Sequence, residues 1–337
     1  MNSKFRNVLI TGGAGYVGSL LTPQLLNAGY RVTVYDTCFF GDHFLPKNHP
    51  SLVIVKGDIR DSAYFEKTCQ NRDAIIHLAC ISNDASFELD PSLSTSINLD
   101  AFEPLVIAAK RAGIKRFINA STSSVYGISD ASNVTEDHPL VPLTFYNKYK
   151  GICESLLFKH QDDHFVCVTI RPATVCGYAP RLRLDLSVNI LTNQAISNGK
   201  IKVFGGAQLR PNIHIQDICD LYEFLLEVPN EKIRGETFNA GYQNYSIRQI
   251  AEIVKKIVEN EFPEKGEIKI ETTSTDDPRS YHINSDKIKS KIGFEAKYGL
   301  EDAIRGLCQA FREKKIPNSM ENEWYYNVKY LKKLKVQ

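Results

Sequence analysis

Apolar residues in this chain cluster into short runs of strand character, separated by longer stretches with helical periodicity. Asn7–Ile10, Arg31–Asp36, 52–56, 74–78 and 115–120 read as strands, and Phe165–Ile170 as the next one. Between the first two, 16–28 carries Val17, Leu20, Leu21, Leu25 and Leu26 at helical spacing, and further helices are predicted near 62–70, 92–112 and 144–160. Strands that are apolar throughout, alternating with amphipathic helices, predict a doubly wound α/β arrangement: a parallel sheet covered on both faces.

After Arg171-Pro172 the texture changes to stretches punctuated by Gly, Pro and Arg, such as Gly177–Arg181 and Leu209–Pro211, which predict a smaller lobe broken by short helices. Ile218, Leu221, Phe224 and Leu225 then recur at helical spacing ahead of Thr237–Ala240, which reads as a return to the main sheet. The expected organisation is a main lobe from 1–171 with 214–242 returning to it, a smaller interleaved α/β lobe from 172–213 and 243–315, and a C-terminal tail, 316–337. Trp324, Tyr325, Tyr326 and Tyr330 predict that this tail docks on the body or on a neighbouring subunit.

Length agrees with two lobes, because 337 residues exceed the size at which one core stops growing, ~250–300 residues. A formal net charge of +2 supplies no basis for nucleic-acid or membrane partners. Eight cysteines stand singly, with no Cys-x-x-Cys pair, and are expected to be reduced thiols packed as small hydrophobes; no metal site is expected. No apolar run reaches the ~18 residues of a membrane span, and the first strand begins within a few residues of Met1, so cytoplasm is the default location.

The chemistry begins where the first strand meets the first helix. Thr11-Gly12-Gly13-Ala14-Gly15-Tyr16-Val17-Gly18 supplies glycines for a tight turn, so that backbone N–H groups come close to a pyrophosphate at the helix N-terminus. Asp36 closes the second strand at roughly the ~20-residue distance of a ribose-binding acid, and a carboxylate there favours NAD over its 2′-phosphorylated form. Such a pattern makes the main lobe a Rossmann doubly wound parallel sheet. Ser121-Thr122-Ser123-Ser124 places hydroxyls at the carboxyl end of a strand, where ligands of parallel sheets bind. Tyr146 and Lys150 lie one helical turn apart, so that a phenol and an ammonium meet the same ligand, the ammonium favouring the phenolate.

With these motifs the chain resembles the extended short-chain dehydrogenases/reductases, in the nucleotide-sugar epimerase/dehydratase group typified by UDP-galactose 4-epimerase. Gly57-Asp58-Ile59, His77-Leu78-Ala79-Cys80 and Arg210-Pro211-Asn212-Ile213-His214 extend the resemblance over nearly the whole length. It implies Thr122, Tyr146 and Lys150 as catalytic residues. NAD is implied as cofactor, held by Gly12, Gly15, Tyr16, Val17, Gly18, Asp36, Asp58, Ile59, Leu78, Ala79, Asn98, Tyr146 and Lys150. A nucleoside-diphosphate sugar is implied as substrate, met by Ser123, Thr174, Asn189, Arg210 and Arg279, the two arginines taking the phosphates. A homodimer is implied through the helices near 92–112 and 144–160, where Leu105, Val106, Ala109, Ile152 and Leu156 could either pair or face the sheet.

The implied activity is epimerisation through a transient keto-sugar at carbon 4; a nucleotide-sugar 4-dehydrogenase or ketoreductase needs the same residues. A non-catalytic NAD-binding scaffold is disfavoured, because hydroxyl, phenol and ammonium are all present. Ser123 and Ser124 stand where members that eliminate water carry an acidic pair, which argues against a 4,6-dehydratase and a UDP-glucuronate decarboxylase. Thr174-Val175-Cys176-Gly177 and the basic stretch Tyr178–Arg183 depart from the usual pattern and leave the sugar and nucleotide open.

Overall fold

The computed structural model describes residues 5–129, 131, 133–275, 280 and 282–334. Among these, the strands in chain order are β1 (Asn7–Thr11), β2 (Arg31–Asp36), β3 (Leu52–Lys56), β4 (Ala74–His77), β5 (Arg116–Ala120), β6 (Val166–Pro172), β7 (Thr174–Cys176), β8 (Lys200–Phe204), β9 (Leu209–His214), β10 (Glu236–Ala240), β11 (Gln243–Ser246) and β12 (Lys269–Thr273). Seven of them make one parallel sheet in the order β10-β6-β5-β4-β1-β2-β3. The chain reverses direction across the sheet between β1 and β4, and the carboxyl ends of these two strands open a crevice there.

Successive strand residues point to opposite faces, and here both sets are apolar. Val8, Ile10, Ile76, Ile118 and Val168 pack on one side with Leu21 and Leu25 of the helix Gly18–Asn27 and Leu221 and Leu225 of the helix Ile215–Glu227. Leu9, Ile75, Phe117 and Cys167 pack on the other with Phe65, Leu105, Cys153 and Leu157, from the helices Ser62–Cys69, Phe102–Arg111 and Phe145–Lys159. Leu105, Val106 and Ala109 are wholly buried by these contacts and are spent on the core of this chain; Ile152 is 36% exposed.

The single helix expected near 92–112 is broken into Pro91–Thr95, a π-helical turn Ser96–Asp100 and Phe102–Arg111. Pro104 has no N–H to offer the Asp100 carbonyl one turn earlier, so the regular ladder lapses just before it. The smaller lobe also differs from expectation. Instead of short helices, Ser187–Asn198, Ile247–Glu261 and Leu300–Arg312 pack around a third apolar cluster: Gly199 and Gly299 sit at helix ends, the interiors of the first two helices hold no glycine, and the third helix tolerates Gly306. β11-β9-β7 and β12-β8 form its two small sheets. The tail lies on the body: the Leu184 N–H donates to the Tyr325 carbonyl at 2.9 Å and the Trp324 indole to the Phe40 carbonyl at 2.8 Å.

Two buried polar arrangements hold the sheet to its neighbours. On helix Phe145–Lys159, Glu154 accepts a 2.6 Å bond from Arg171 of β6 and a 2.5 Å bond from Ser121 Oγ. Arg171 also donates to the Tyr126 hydroxyl at 2.8 Å, which donates to Asn239 of β10 at 2.7 Å. Between β1 and β4, Thr11 Oγ1 and His77 Nδ1 are 2.8 Å apart. Burial, and secondarily the charge of Lys150, pushes the His77 imidazole down to about 3.

Glu154→Leu should cost about 3–5 kcal/mol in urea unfolding, because it strands the Arg171 guanidinium without a counter-charge; a loss under ~1 kcal/mol would show the pair to be idle. The folded His77 resists a proton that an unfolded histidine accepts near pH 6.5. Wild type should therefore lose stability relative to His77→Asn as pH falls from there, by at most ~1.4 kcal/mol per pH unit, and a gap that does not change with pH would contradict this.

Candidate active site

β1 passes directly into a turn whose shape only glycine permits at two points. Gly12 has φ +72°, and a Cβ there would lie 2.7 Å from the Ala79 backbone nitrogen; at Gly18 it would lie 2.5 Å from the Gly13 carbonyl oxygen. The loop after β4 therefore rests against the turn. The helix Gly18–Asn27 starts with no side-chain cap and no acidic residue in its first turn, which leaves the partial positive charge of its N-terminus for a ligand anion. Asp36 at the end of β2 accepts from the Ala14 N–H at 3.0 Å and the Cys38 N–H at 2.7 Å; burial raises this carboxyl, and those two bonds oppose the rise. Glycine cradle, uncapped helix and adjacent acid together fit a dinucleotide.

A cavity of about 470 Å³ runs from this turn along the strand ends. Gly12, Gly15, Tyr16, Val17, Gly18, Asp36, Asp58, Ile59, Leu78 and Ala79 line one part of it, and Thr122, Tyr146, Lys150, Thr174 and Arg210 another. Asp58 is paired with Arg60 at 2.6 Å. Tyr16 donates to the Gly177 carbonyl at 2.6 Å and so ties the turn to the smaller lobe.

Thr122 caps the short 3-10 turn Ser123–Tyr126, accepting from the Ser124 N–H and donating to its hydroxyl, both at 3.2 Å. Tyr146 sits in the first turn of helix Phe145–Lys159, which Thr144 caps. Lys150, 7% exposed, donates to the Ala120 carbonyl at 2.8 Å, so its ammonium is held at the end of β5. Burial raises the Tyr146 phenol well above the ordinary tyrosine value; Cys80 and Asp84 push the same way, while Arg183 and the Asn83 backbone N–H oppose them. Arg183 thus joins Lys150 as a cation at the cavity that holds the phenol.

Three expected contacts do not line the cavity. Asn98 uses its amide on the Ile81 N–H and carbonyl, at 2.8 and 2.9 Å, and pins the loop after β4 from behind. Asn189 accepts from the Gly177 N–H at 2.9 Å and donates to the Arg183 carbonyl at 2.8 Å, bracing the 177–183 segment. Ser123 is buried inside the 3-10 turn, and Ser124 takes its place at the cavity. Arg171, the last residue of the expected main lobe, is in the main sheet and spent on Glu154. Arg279 lies outside the described residues.

Sequence reasoning missed several lining groups: Asp84, Arg181, Arg183, Asp185 and, from the tail, Asn327 and Leu331. The basic run at 178–183 was the only signal, and nothing local indicated that two of its arginines turn inward. Asp84 accepts from Thr144 Oγ1 at 2.5 Å, which places a carboxylate beside the helix that carries Tyr146. Among the described residues no group of three or more His, Cys, Asp or Glu side chains could hold a metal ion, and no helix is long and apolar enough to cross a membrane.

Comparison with known proteins agrees with this geometry. UDP-glucuronic acid decarboxylase 1 of Xenopus tropicalis is 27% identical over 334 residues, covering 95% of this chain and 75% of the relative. UDP-glucose 4-epimerase of Lactobacillus helveticus is 26% identical over 319 residues, covering 88% and 94%. The crystal structure of UDP-glucuronic acid 4-epimerase from Bacillus cereus in complex with UDP-glucuronic acid and NAD superposes with a TM-score of 0.80 at 26% identity, covering 91% of this chain and 99% of that one. A family model matches residues 8–241, and the chain belongs to the NAD dependent epimerase/dehydratase family.

Proposed function

We propose that this chain is a nucleotide-sugar epimerase that works through a transient keto-sugar at carbon 4. The observation that carries the reading is that Thr122, Tyr146 and Lys150 line one cavity with the glycine turn and Asp36. NAD, when bound, supplies the acceptor that takes the hydrogen of the sugar carbon as hydride and returns it, and its positive ring favours the phenolate. Tyr146 removes the proton of the sugar hydroxyl and gives it back. Thr122 holds the same oxygen, its own hydroxyl oriented by Ser124. Lys150 is steadied by the Ala120 carbonyl, within one helical turn of the phenol. Arg210 anchors the sugar's diphosphate while the ketone turns over, a task suited to a planar guanidinium with a permanent charge.

Relatives acting on UDP-glucose and UDP-glucuronic acid make UDP-sugars the first substrates to test. The decarboxylase among the relatives marks a competing chemistry. Against it, Ser124 provides a hydroxyl beside Thr122 where elimination chemistry calls for a carboxyl group.

Tyr146→Phe should lower kcat/KM by about 10²–10⁴ while NAD affinity changes little; full turnover in this variant would refute the assigned role. With a panel of UDP-sugars, an isomeric product without growth of the reduced-nicotinamide absorbance is expected; growth of that band would make the enzyme a net dehydrogenase. Gly12→Val, with its Cβ driven into the Ala79 backbone, should abolish NAD binding measured by calorimetry, and intact binding would move the dinucleotide elsewhere.

A further inference from the structure

The tail reaches the cavity and is bonded there to two buried arginines. Arg181, 1% exposed, lies with its guanidinium 3.7 Å from the centroid of the Phe40 ring and 5.6 Å from that of Trp324. Its Nη2 donates to Asn327 Oδ1 at 2.6 Å and its Nη1 to the Leu182 carbonyl at 3.2 Å, while its Nε is buried with no partner among the described residues. Arg183 closes its fork on Asp185, at 2.9 and 3.2 Å, and donates to Ser82 at 3.1 Å. Asn327 joins the two: its N–H donates to Asp185 at 3.1 Å and its side-chain amide to Ser82 at 3.2 Å. Tyr330 stacks on Phe40 at 5.3 Å, and Phe40, Arg181, Asn327 and Leu331 all line the cavity.

Arg181 is the unbalanced member. Asp185 is engaged by the Arg183 fork, so the nearer carboxylate is already neutralised, and a buried guanidinium with an unpaired N–H carries the full cost of its lost hydration. Its backbone N–H donates to Ser19 Oγ at 3.1 Å, in the first turn of the helix Gly18–Asn27, and its side chain lines the same cavity as the glycine turn and Asp36, which sets it beside the uncapped helix N-terminus. The group that satisfies a desolvated guanidinium edge there is a diphosphate.

We propose that Arg181 and the tail from Asn322 to Leu334, linked through Asn327, form a clasp over the diphosphate of the bound dinucleotide and make it a retained group rather than an exchanging cosubstrate. The proposal rests on the dinucleotide seat argued above and deepens the epimerase reading: a hydride that must return to the same sugar requires a cofactor that stays, whereas net dehydrogenation requires one that leaves.

The test compares wild type with Asn327→Ala and Tyr330→Ala, the latter removing a half-buried ring that only stacks on Phe40. Nucleotide released from purified protein by acid gives the NAD content. A chase with excess unlabelled NAD gives the release rate, and emission of Trp324, the single tryptophan, reports on the clasp itself. Both variants should lose NAD at least ~10-fold faster than wild type, mostly through the dissociation rate, with UDP affinity unchanged and Trp324 emission shifted. Unchanged release in folded variants overturns the clasp. So does weakened UDP binding with unchanged NAD release, which would assign the Arg181 edge to the nucleotide sugar. Wild type that takes up no NAD at all would overturn the dinucleotide seat as well, a result distinct from the other two. Should Asn327→Ala fail to fold, Tyr330→Ala decides.

Discussion

The site depends on the ion pair between Glu154 and Arg171, 2.6 Å apart and almost wholly buried. Tyr146, Lys150 and Glu154 are spaced four residues apart on one helix and form a single polar stripe. Glu154 locks the deep end of that stripe to β6, Lys150 fastens its middle to the Ala120 carbonyl at the end of β5, and Tyr146 is left at the cavity. The pair is costly to desolvate, so it is retained only with its remaining bonding capacity filled, and Ser121 and Tyr126 do this. The helix is thereby fixed in rotation as well as position. Small rotations matter for the proposed reaction, in which the phenol meets a hydroxyl proton within hydrogen-bonding distance.

The electrostatics of the cavity follow from the same burial. A phenol in a low-dielectric site resists ionisation, and Asp84 adds to that resistance, so the cations around it have work to offset. Arg183 opposes that resistance, and it is held in place by Asp185 and Ser82, hence indirectly by the tail. Lys150 is restrained to the strand end. One set of side chains thus joins the two arginines, since Asn327 bonds both the Arg181 and the Asp185 sides of the arrangement.

Most of the main sheet was legible because its signals are local. Continuous apolar strands, a helix with one apolar face, and glycines between them each report on their own neighbourhood, and the observed sheet is the doubly wound one they predict. What failed was also physical. Pro104 broke a helix whose apolar periodicity runs straight through it. Asn98 and Asn189 are the kind of residue that touches a ligand, yet each found backbone partners across the fold and is spent there. The helices Ser187–Asn198 and Ile247–Glu261 of the smaller lobe were hidden by glycines and prolines that punctuate its connections rather than these helix interiors.

By itself the sequence determined the alternating architecture, the glycine turn with its acid, and the phenol, ammonium and hydroxyl to look for, because each is encoded within a helical turn or a strand end. Tertiary structure alone decided which charges surround the phenol. Asn327 lies 146 residues along the chain from Arg181, and only the docking of the tail across Phe40 brings it to the two arginines at the cavity. No local pattern specifies that, since burying a guanidinium is unfavourable until the whole set of partners has assembled around it.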